Sequence, residues 1–344
     1  MELVRVGVVG TGRMGKNHCR VFSTLRHVDL AGIYDPDTAA ANRVASENDT
    51  RAFRTVDDLL DVVDAVSMAT PTPTHFLLAM HCLKRGKHLL IEKPIAETTE
   101  QAEKLVSAAD ASGLIVQVGH IERFNPAYSE LKNVLLDSSP LVVNFRRLSP
   151  YVGSNIDVDV ISDLMIHDLD LVLDLMGQEP VSLEASGLTA VSGAIDHVVA
   201  QMQFAYGPLV CMTASRVTES KIRCIEITAQ DRFIVGNLLD KSVAVHRRTY
   251  GQYVNQGNLA AKYRQESVVE SIHVPTTEPL WLELHHFIQC IRNRCAPAVT
   301  PRAGWLALRL AAQVRDVVNQ NLLVMGNSLH TPEMSAIPHV SVGV

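Results

Sequence analysis

The sequence predicts an α/β protein in two parts, a doubly wound parallel sheet over residues 1–125 and an α+β domain on a large, mostly antiparallel sheet over residues 126–344. Three observations predict this. Short apolar runs alternate with helical stretches as far as residue 120. A glycine-rich turn, GTGRMG at residues 10–15, follows the first of those runs. Beyond residue 125 the pattern gives way to segments in which apolar and polar residues alternate.

Each element has a local reason. Residues 4–9 (VRVGVV) are an apolar run of strand length, and residues 16–26 after the glycine turn carry helical spacing. Residues 30–34 (LAGIY) make a second strand ending at Asp35, and residues 63–69 (VDAVSMA) a third. The Thr- and Pro-containing stretch 70–74 is a loop leading into a helix that Gly86 closes; residues 88–92 (HLLIE) are the fourth strand. In 98–113, Thr98 and Gln101 stand at capping-box spacing and Gly113 ends the helix. Residues 114–120 (LIVQVGH) supply the fifth strand. In 197–206, Val198, Ala200, Met202 and Phe204 face one way while His197, Gln201 and Gln203 face the other, as in a strand covered on one side. Residues 141–147, 209–216, 222–230, 232–238, 242–248 and 267–274 are further strands separated by Gly, Asp and Ser turns. Helical spacing returns at 279–294 and 304–320, and the polar, Pro-containing tail beyond residue 327 is expected to be loosely held.

Composition narrows the function classes. With 344 residues, 47% hydrophobic and 20% charged, the chain can build two cores. Its 31 Lys+Arg against 37 Asp+Glu give a net charge of −6 without a basic block, which argues against nucleic acid as a partner. No apolar stretch approaches the ~20 residues of a membrane span, and no signal-peptide core is present, so a cytoplasmic protein is expected. Six cysteines without a CxxC pair read as reduced thiols and give no zinc framework.

Gly10-Thr11-Gly12-Arg13-Met14-Gly15 between a strand and a helix has the context of a dinucleotide loop. The first glycine permits the turn, the second lets backbone approach a pyrophosphate, and the third lets helix and strand pack closely. Asp35 follows about 20 residues past Gly15, where a carboxylate accepts from an adenine-side ribose and repels a 2'-phosphate. NAD rather than NADP is therefore expected in a Rossmann domain, with Asp37 close enough to share the role. At the end of the fourth strand, Glu92 and Lys93 are further cofactor-side candidates, since doubly wound sheets bind ligands at strand C-termini. Pro94 restrains Lys93, and the bond between them is open to either isomer.

The stretch 163–176, DLMIHDLDLVLDLM, plants acids and a histidine in an apolar helix. On a regular wheel Asp163, His167, Asp170 and Asp174 share an arc of about 60°, and Asp168 falls outside it. A solvated face is usually broader and richer in Lys, Glu and Arg, so the arc reads as a site. Asp and His four residues apart also suit a metal, but no second ligand pair stands at comparable spacing, and no metal is expected. With a cofactor loop and Lys93, His167 suits the base that takes a hydroxyl proton, Asp163 its orienting partner, and Lys93 the group that steadies a developing alkoxide.

These residues resemble the glucose-fructose oxidoreductase / inositol dehydrogenase family. The similarity is carried by GxGxxG, by ATPTPTH at 69–75, by EKP at 92–94 and by the family's DxGxHxxD pattern over Asp163, His167 and Asp170. It implies a catalytic set of Lys93, Asp163 and His167, cofactor-side places for Ala69, Thr70 and His75, and a homodimer or homotetramer. Met165 stands where the family has Gly, which is expected to place bulk beside that set. The runs VGHIERFNPAY (118–128) and DVDVISDLMIHDLDLV (157–172) are similar to the branch that acts on UDP-sugars, oxidising a C3 hydroxyl of UDP-N-acetylglucosamine ahead of an aminotransferase on the way to lipid A. For such a substrate Arg123 and Asn125 are the foremost candidates, followed by Arg146, Arg147, Phe124, Tyr151, Tyr250 and Tyr253. The alternatives are a dehydrogenase of another sugar nucleotide, a free sugar or inositol, and, outside enzymes, an NAD-binding sensor.

Overall fold

A computed structural model describes residues 3–151, 153, 158–253 and 262–328, with side chains from 248 to 253, 262 to 266 and beyond 322 left aside. The expected tail beyond residue 327 lies almost wholly outside that range. The chain opens with β1 (Val4–Val9), α1 (Arg13–Phe22), β2 (Val28–Tyr34), α2 (Thr38–Glu47), α3 (Val56–Leu60) and β3 (Ala65–Met68). It continues through α4 (His75–Lys84), β4 (His88–Glu92), α5 (Thr99–Ser112) and β5 (Val116–Gly119). All five strands are parallel in the order β2-β1-β3-β4-β5. The chain leaves β1 for β2 on one side and returns to β3 on the other, so the crevice where ligands bind in such sheets opens at the end of β1. Strands buried on both faces explain the near-continuous apolar runs of β1, β3 and β4. The Thr98 side chain accepts from Gln101 N, the Gln101 side chain accepts from Glu97 N, and Gly113 takes the left-handed turn at φ 65°.

The second layer begins with α6 (Pro126–Leu135) and β6 (Pro140–Leu148), followed by a π turn (Ile161–Met165) running directly into α7 (Ile166–Met176). Strands β7 (Ser182–Leu188), β8 (His197–Gln203), β9 (Leu209–Ser215), β10 (Ile222–Ala229), β11 (Arg232–Asn237), β12 (Ser242–Tyr253) and β13 (Lys262–Ile272) complete an eight-stranded sheet. Its order is β13-β12-β11-β10-β6-β9-β8-β7, antiparallel throughout except for the central β6/β9 pair. The period-two pattern holds on β8, where Val198, Ala200 and Met202 are buried beneath α7 and neighbouring helices. β7 (SLEASGL) escaped the sequence reading because its Ser, Glu and Gly give no alternating apolar signal.

Two helices close the chain, α8 (Pro279–Asn293) and α9 (Pro301–Ser328), and both return to the first sheet. Leu280, Leu284, Phe287 and Ile288 of α8 share a core with Val6, Val8 and Phe22, while α9 packs on α5 and β5 as well as on α7 and β7. The base of the Rossmann half is thus made partly from residues beyond 126. Among the described residues no helix is long and apolar enough to cross a membrane.

Candidate active site

The glycine turn explains itself through space. Gly10 has φ 95°, and a Cβ there would lie 2.5 Å from the Ala69 carbonyl oxygen; a Cβ on Gly15 would run into the Gly10 carbonyl. At Gly12 a Cβ would meet nothing within 4 Å, because that position faces a cavity of about 1120 Å³. The cavity is lined by Gly10, Gly12, Arg13, Met14, Asp35, Ala69, Thr70, Glu92 and Lys93, and also by Tyr34, Leu77 and Leu78. Thr11 N and Thr11 Oγ1 donate to one oxygen of Asp35 at 2.6 and 2.8 Å, and Asp37 N donates to the other at 2.9 Å. Asp37 itself caps α2 by accepting from Ala40 N, which separates the two acids the sequence left together. An open glycine at the N-terminus of α1 and an oriented carboxylate at the end of the neighbouring strand, both lining one cavity, fit an adenine dinucleotide. His75 lies behind the cavity, buried, with its ring nitrogens on the Pro94 and Thr70 carbonyls at 2.8 and 2.9 Å, so it ties together the loops after β3 and β4.

Glu92 and Lys93 sit at the C-terminal end of β4, and the Lys93–Pro94 peptide is cis. The Glu92 carboxylate is held by His18 Nε2 at 3.0 Å and by Lys93 N at 3.2 Å, while His18 Nδ1 lies 2.7 Å from Ser67 Oγ. Lys93 Nζ donates to the Asp163 carbonyl at 2.8 Å. That bond joins the parallel sheet to the π turn. Burial draws the Lys93 ammonium below the ordinary lysine range, against the pull of the Asp163 and Glu92 charges. His167, one helical turn on, is held well below the ordinary imidazole range by burial and then by Lys93 and Arg147. Its Nδ1 is buried and has no hydrogen-bond partner, so the Asp163 carboxylate does not hold that nitrogen. Among the described residues no group of three His, Cys, Asp or Glu side chains is placed to hold a metal ion.

The rest of the polar arc serves a different task. Arg123 makes a fork onto Asp170 with two bonds of 2.7 Å and reaches Asp174 at 2.6 Å; Tyr128 Oη and Lys132 Nζ also donate to Asp174. Asn125 caps α6 through Ala127 N and spends its amide on Glu122 and the Leu238 carbonyl. Asp168, off the regular wheel, is buried in a fork with Arg147, whose remaining nitrogen reaches Glu122, as does Arg223 from β10. The π turn precedes α7, so a wheel drawn at constant pitch from Asp163 does not carry across the junction. Met165, expected beside the site, is 1% exposed and packs in the core under the large sheet.

Arg146 and Arg147 point to opposite faces of β6, the former 45% exposed with Glu226 at 3.9 Å. Phe124 rests on His286 at 5.4 Å, and Tyr151 is exposed. The side chains of Tyr250 and Tyr253 lie outside the described residues. Thr11, His18, Glu122 and Arg223 were not picked out from the sequence; only Thr11 and Glu122 fall within motifs that could have flagged them.

Residues 4–120 match the model of an oxidoreductase family with an NAD-binding Rossmann fold, and residues 151–235 match the GFO/IDH/MocA C-terminal domain. The chain is 35% identical to the UDP-N-acetylglucosamine 3-dehydrogenase of Acidithiobacillus ferrooxidans over 92% of its own length and 97% of that protein. A solved structure of that dehydrogenase superposes with a TM-score of 0.84, covering 94% of this chain and 99% of the other. The scyllo-inositol 2-dehydrogenase (NAD(+)) of Bacillus subtilis is 26% identical over 86% of this chain and 89% of that protein.

Proposed function

The chain belongs to the NAD-binding GFO/IDH/MocA oxidoreductase family, and from that premise we propose that it oxidises the C3 hydroxyl of UDP-N-acetylglucosamine to a ketone. The observation that carries the chemistry is the bond from Lys93 Nζ to the Asp163 carbonyl, which ties the cofactor cavity to the π turn that leads into α7 and His167. The substrate rests on the 35% identity to a dehydrogenase of that sugar nucleotide along nearly the whole chain.

Gly10, Gly12 and Arg13 would hold the pyrophosphate side of NAD, and Asp35 the adenine-side ribose. Bound there, NAD supplies the acceptor for the hydride that leaves the carbinol carbon. Lys93 keeps one N–H on the Asp163 carbonyl and turns the others to the substrate oxygen, where its positive charge favours alkoxide character as the proton departs. His167 takes that proton. Burial keeps the ring neutral, and so ready to accept, at physiological pH, while its lowered basicity leaves the alkoxide stabilisation by Lys93 to supply more of the driving force. Asp163 offsets the Lys93 charge, and Arg123, with each of its three guanidinium nitrogens on Asp170 or Asp174, positions α7. The ketone is a substrate for an aminotransferase, which puts the reaction ahead of a diamino sugar for lipid A. We place the enzyme in the cytoplasm, as a dimer or tetramer joined through the open face of the large sheet, where Val199 and Phe233 are exposed.

A second reading, a free polyol or inositol as substrate, draws on the commitment of Arg123 and Arg147 to carboxylates rather than to a diphosphate. Turnover with NAD across UDP-sugars and free polyols separates the two. Reduction of NAD with polyols alone would overturn the sugar-nucleotide assignment.

A further inference from the structure

A sugar nucleotide brings a diphosphate that needs a cation, and two arginines beside α7 are already occupied. Arg123 presents the Nε and Nη2 edge of its guanidinium to Asp170, Arg147 presents the same edge to Asp168, and the Nη1 of each goes to a further carboxylate. Arg223 of β10 differs. It stands directly opposite Arg147 in the register of β6 and β10, on the face where Ile225 and Ile227 share a core with Leu169 and Val172 of α7. Its Nη1 donates to Glu122 at 3.1 Å, while its Nε and Nη2 make no hydrogen bond among the described residues and are not buried. The Arg223 side chain is 32% exposed, against 2% for Arg147. Glu122 is buried and also accepts from Arg147 Nη1 at 2.9 Å, so a fixed acid aims a guanidinium whose forked edge is open. Arg147 in turn forks Asp168, the residue after His167, which ties Arg223 to the helix of the proposed base.

We propose that Arg223 is the specificity residue that receives the diphosphate of the sugar nucleotide, its Nε and Nη2 forking two phosphate oxygens while Nη1 stays on Glu122. The edge that clamps a carboxylate in Arg123 and Arg147 matches two oxygens on one phosphorus equally well. Like charges directly opposite one another destabilise a sheet, and here one of the two lacks a full set of anions. Against the cost of burial, carboxylate partners hold Arg123 and Arg147 above the ordinary guanidinium range; burial, and then the Arg147 charge, leave Arg223 below it. A bound phosphate supplies the missing negative charge. The inference deepens the sugar-nucleotide reading and rests on it, since a free polyol has no anion for this edge.

Calorimetry tests it with UDP and uridine titrated into NAD-saturated protein, and NAD titrated alone. Arg223→Met binds UDP roughly tenfold more weakly than wild type or worse, as expected for lost charged hydrogen bonds, with uridine and NAD within about twofold. Arg147 still meets Glu122 in that variant, so the acid is not stranded. Arg223→Lys keeps a cation on Glu122 without the fork and loses about threefold, which reads the same contact should Arg223→Met not fold. In turnover, KM for UDP-N-acetylglucosamine rises in step with the UDP loss while kcat stays within a few-fold, a split that a merely structural role does not give. Unchanged UDP affinity in both variants, or a loss for NAD instead, overturns the assignment of Arg223 alone. Wild type that binds no UDP yet turns over a polyol overturns the sugar-nucleotide reading, and this inference with it.

Discussion

Lys93 and His167 are both partly buried, and the Lys93 charge adds to desolvation in lowering the affinity of His167 for a proton. This sets the expected behaviour of their variants. His167→Asn or Lys93→Met lowers kcat by about 10²- to 10⁴-fold, the range for a lost general base, with NAD affinity within a few-fold by fluorescence titration. Unchanged turnover in either variant would remove that residue from the reaction. The same burial makes a pH prediction. His167 and His120 bind protons less readily folded than unfolded, so their contribution to stability is fully present above the unfolded value of about 6.5 and falls as the pH drops from there towards the folded values. The urea midpoint of wild type therefore falls between pH 7 and 5, and that of His120→Gln falls by less. Parallel curves would show that His120 is not buried neutral. Asp35→Ala, which strips the oriented carboxylate from Thr11, weakens NAD more than NADP by roughly tenfold, about the worth of one hydrogen bond.

At the scale of elements, the glycine turn and α7 divide their residues between shape and chemistry. Gly12→Ala leaves the melting temperature within about 2 °C, since its Cβ meets nothing, yet binds NAD at least tenfold more weakly because the cradle is filled. Gly15→Ala has no such room and loses stability as well. Arg123→Ala strands Asp170 and Asp174 and costs about 3–5 kcal/mol by denaturant unfolding, as for a broken buried ion pair. Loss of substrate affinity without loss of stability would instead make Arg123 a ligand contact. Much of this was legible in the sequence where a local rule governs it: the glycine spacing, the Thr98 cap, and the alternation on β8. What was not legible depends on pitch or on distant partners. The π turn breaks the wheel between Asp163 and Asp168, and Arg147 lies twenty-one residues from the acid it forks.

For the whole molecule, the return of α8 and α9 to the parallel sheet makes the two halves one folding problem. Val118 sits so close to Gly304 that a Cβ there would come within 2.8 Å of it, so α9 is seated directly on β5. The cavity, the cis Lys93–Pro94 loop and the π turn thus share one scaffold, and a dehydrogenase can keep a hydroxyl, a base and a cofactor aligned on it. The most direct test is purified wild-type enzyme incubated with NAD and UDP-N-acetylglucosamine, followed by NADH absorbance and by mass spectrometry of the sugar nucleotide. The account predicts stoichiometric NADH and a product two hydrogens lighter with its ketone at C3; no NADH with this substrate, alongside turnover of inositol or a free sugar, would contradict it.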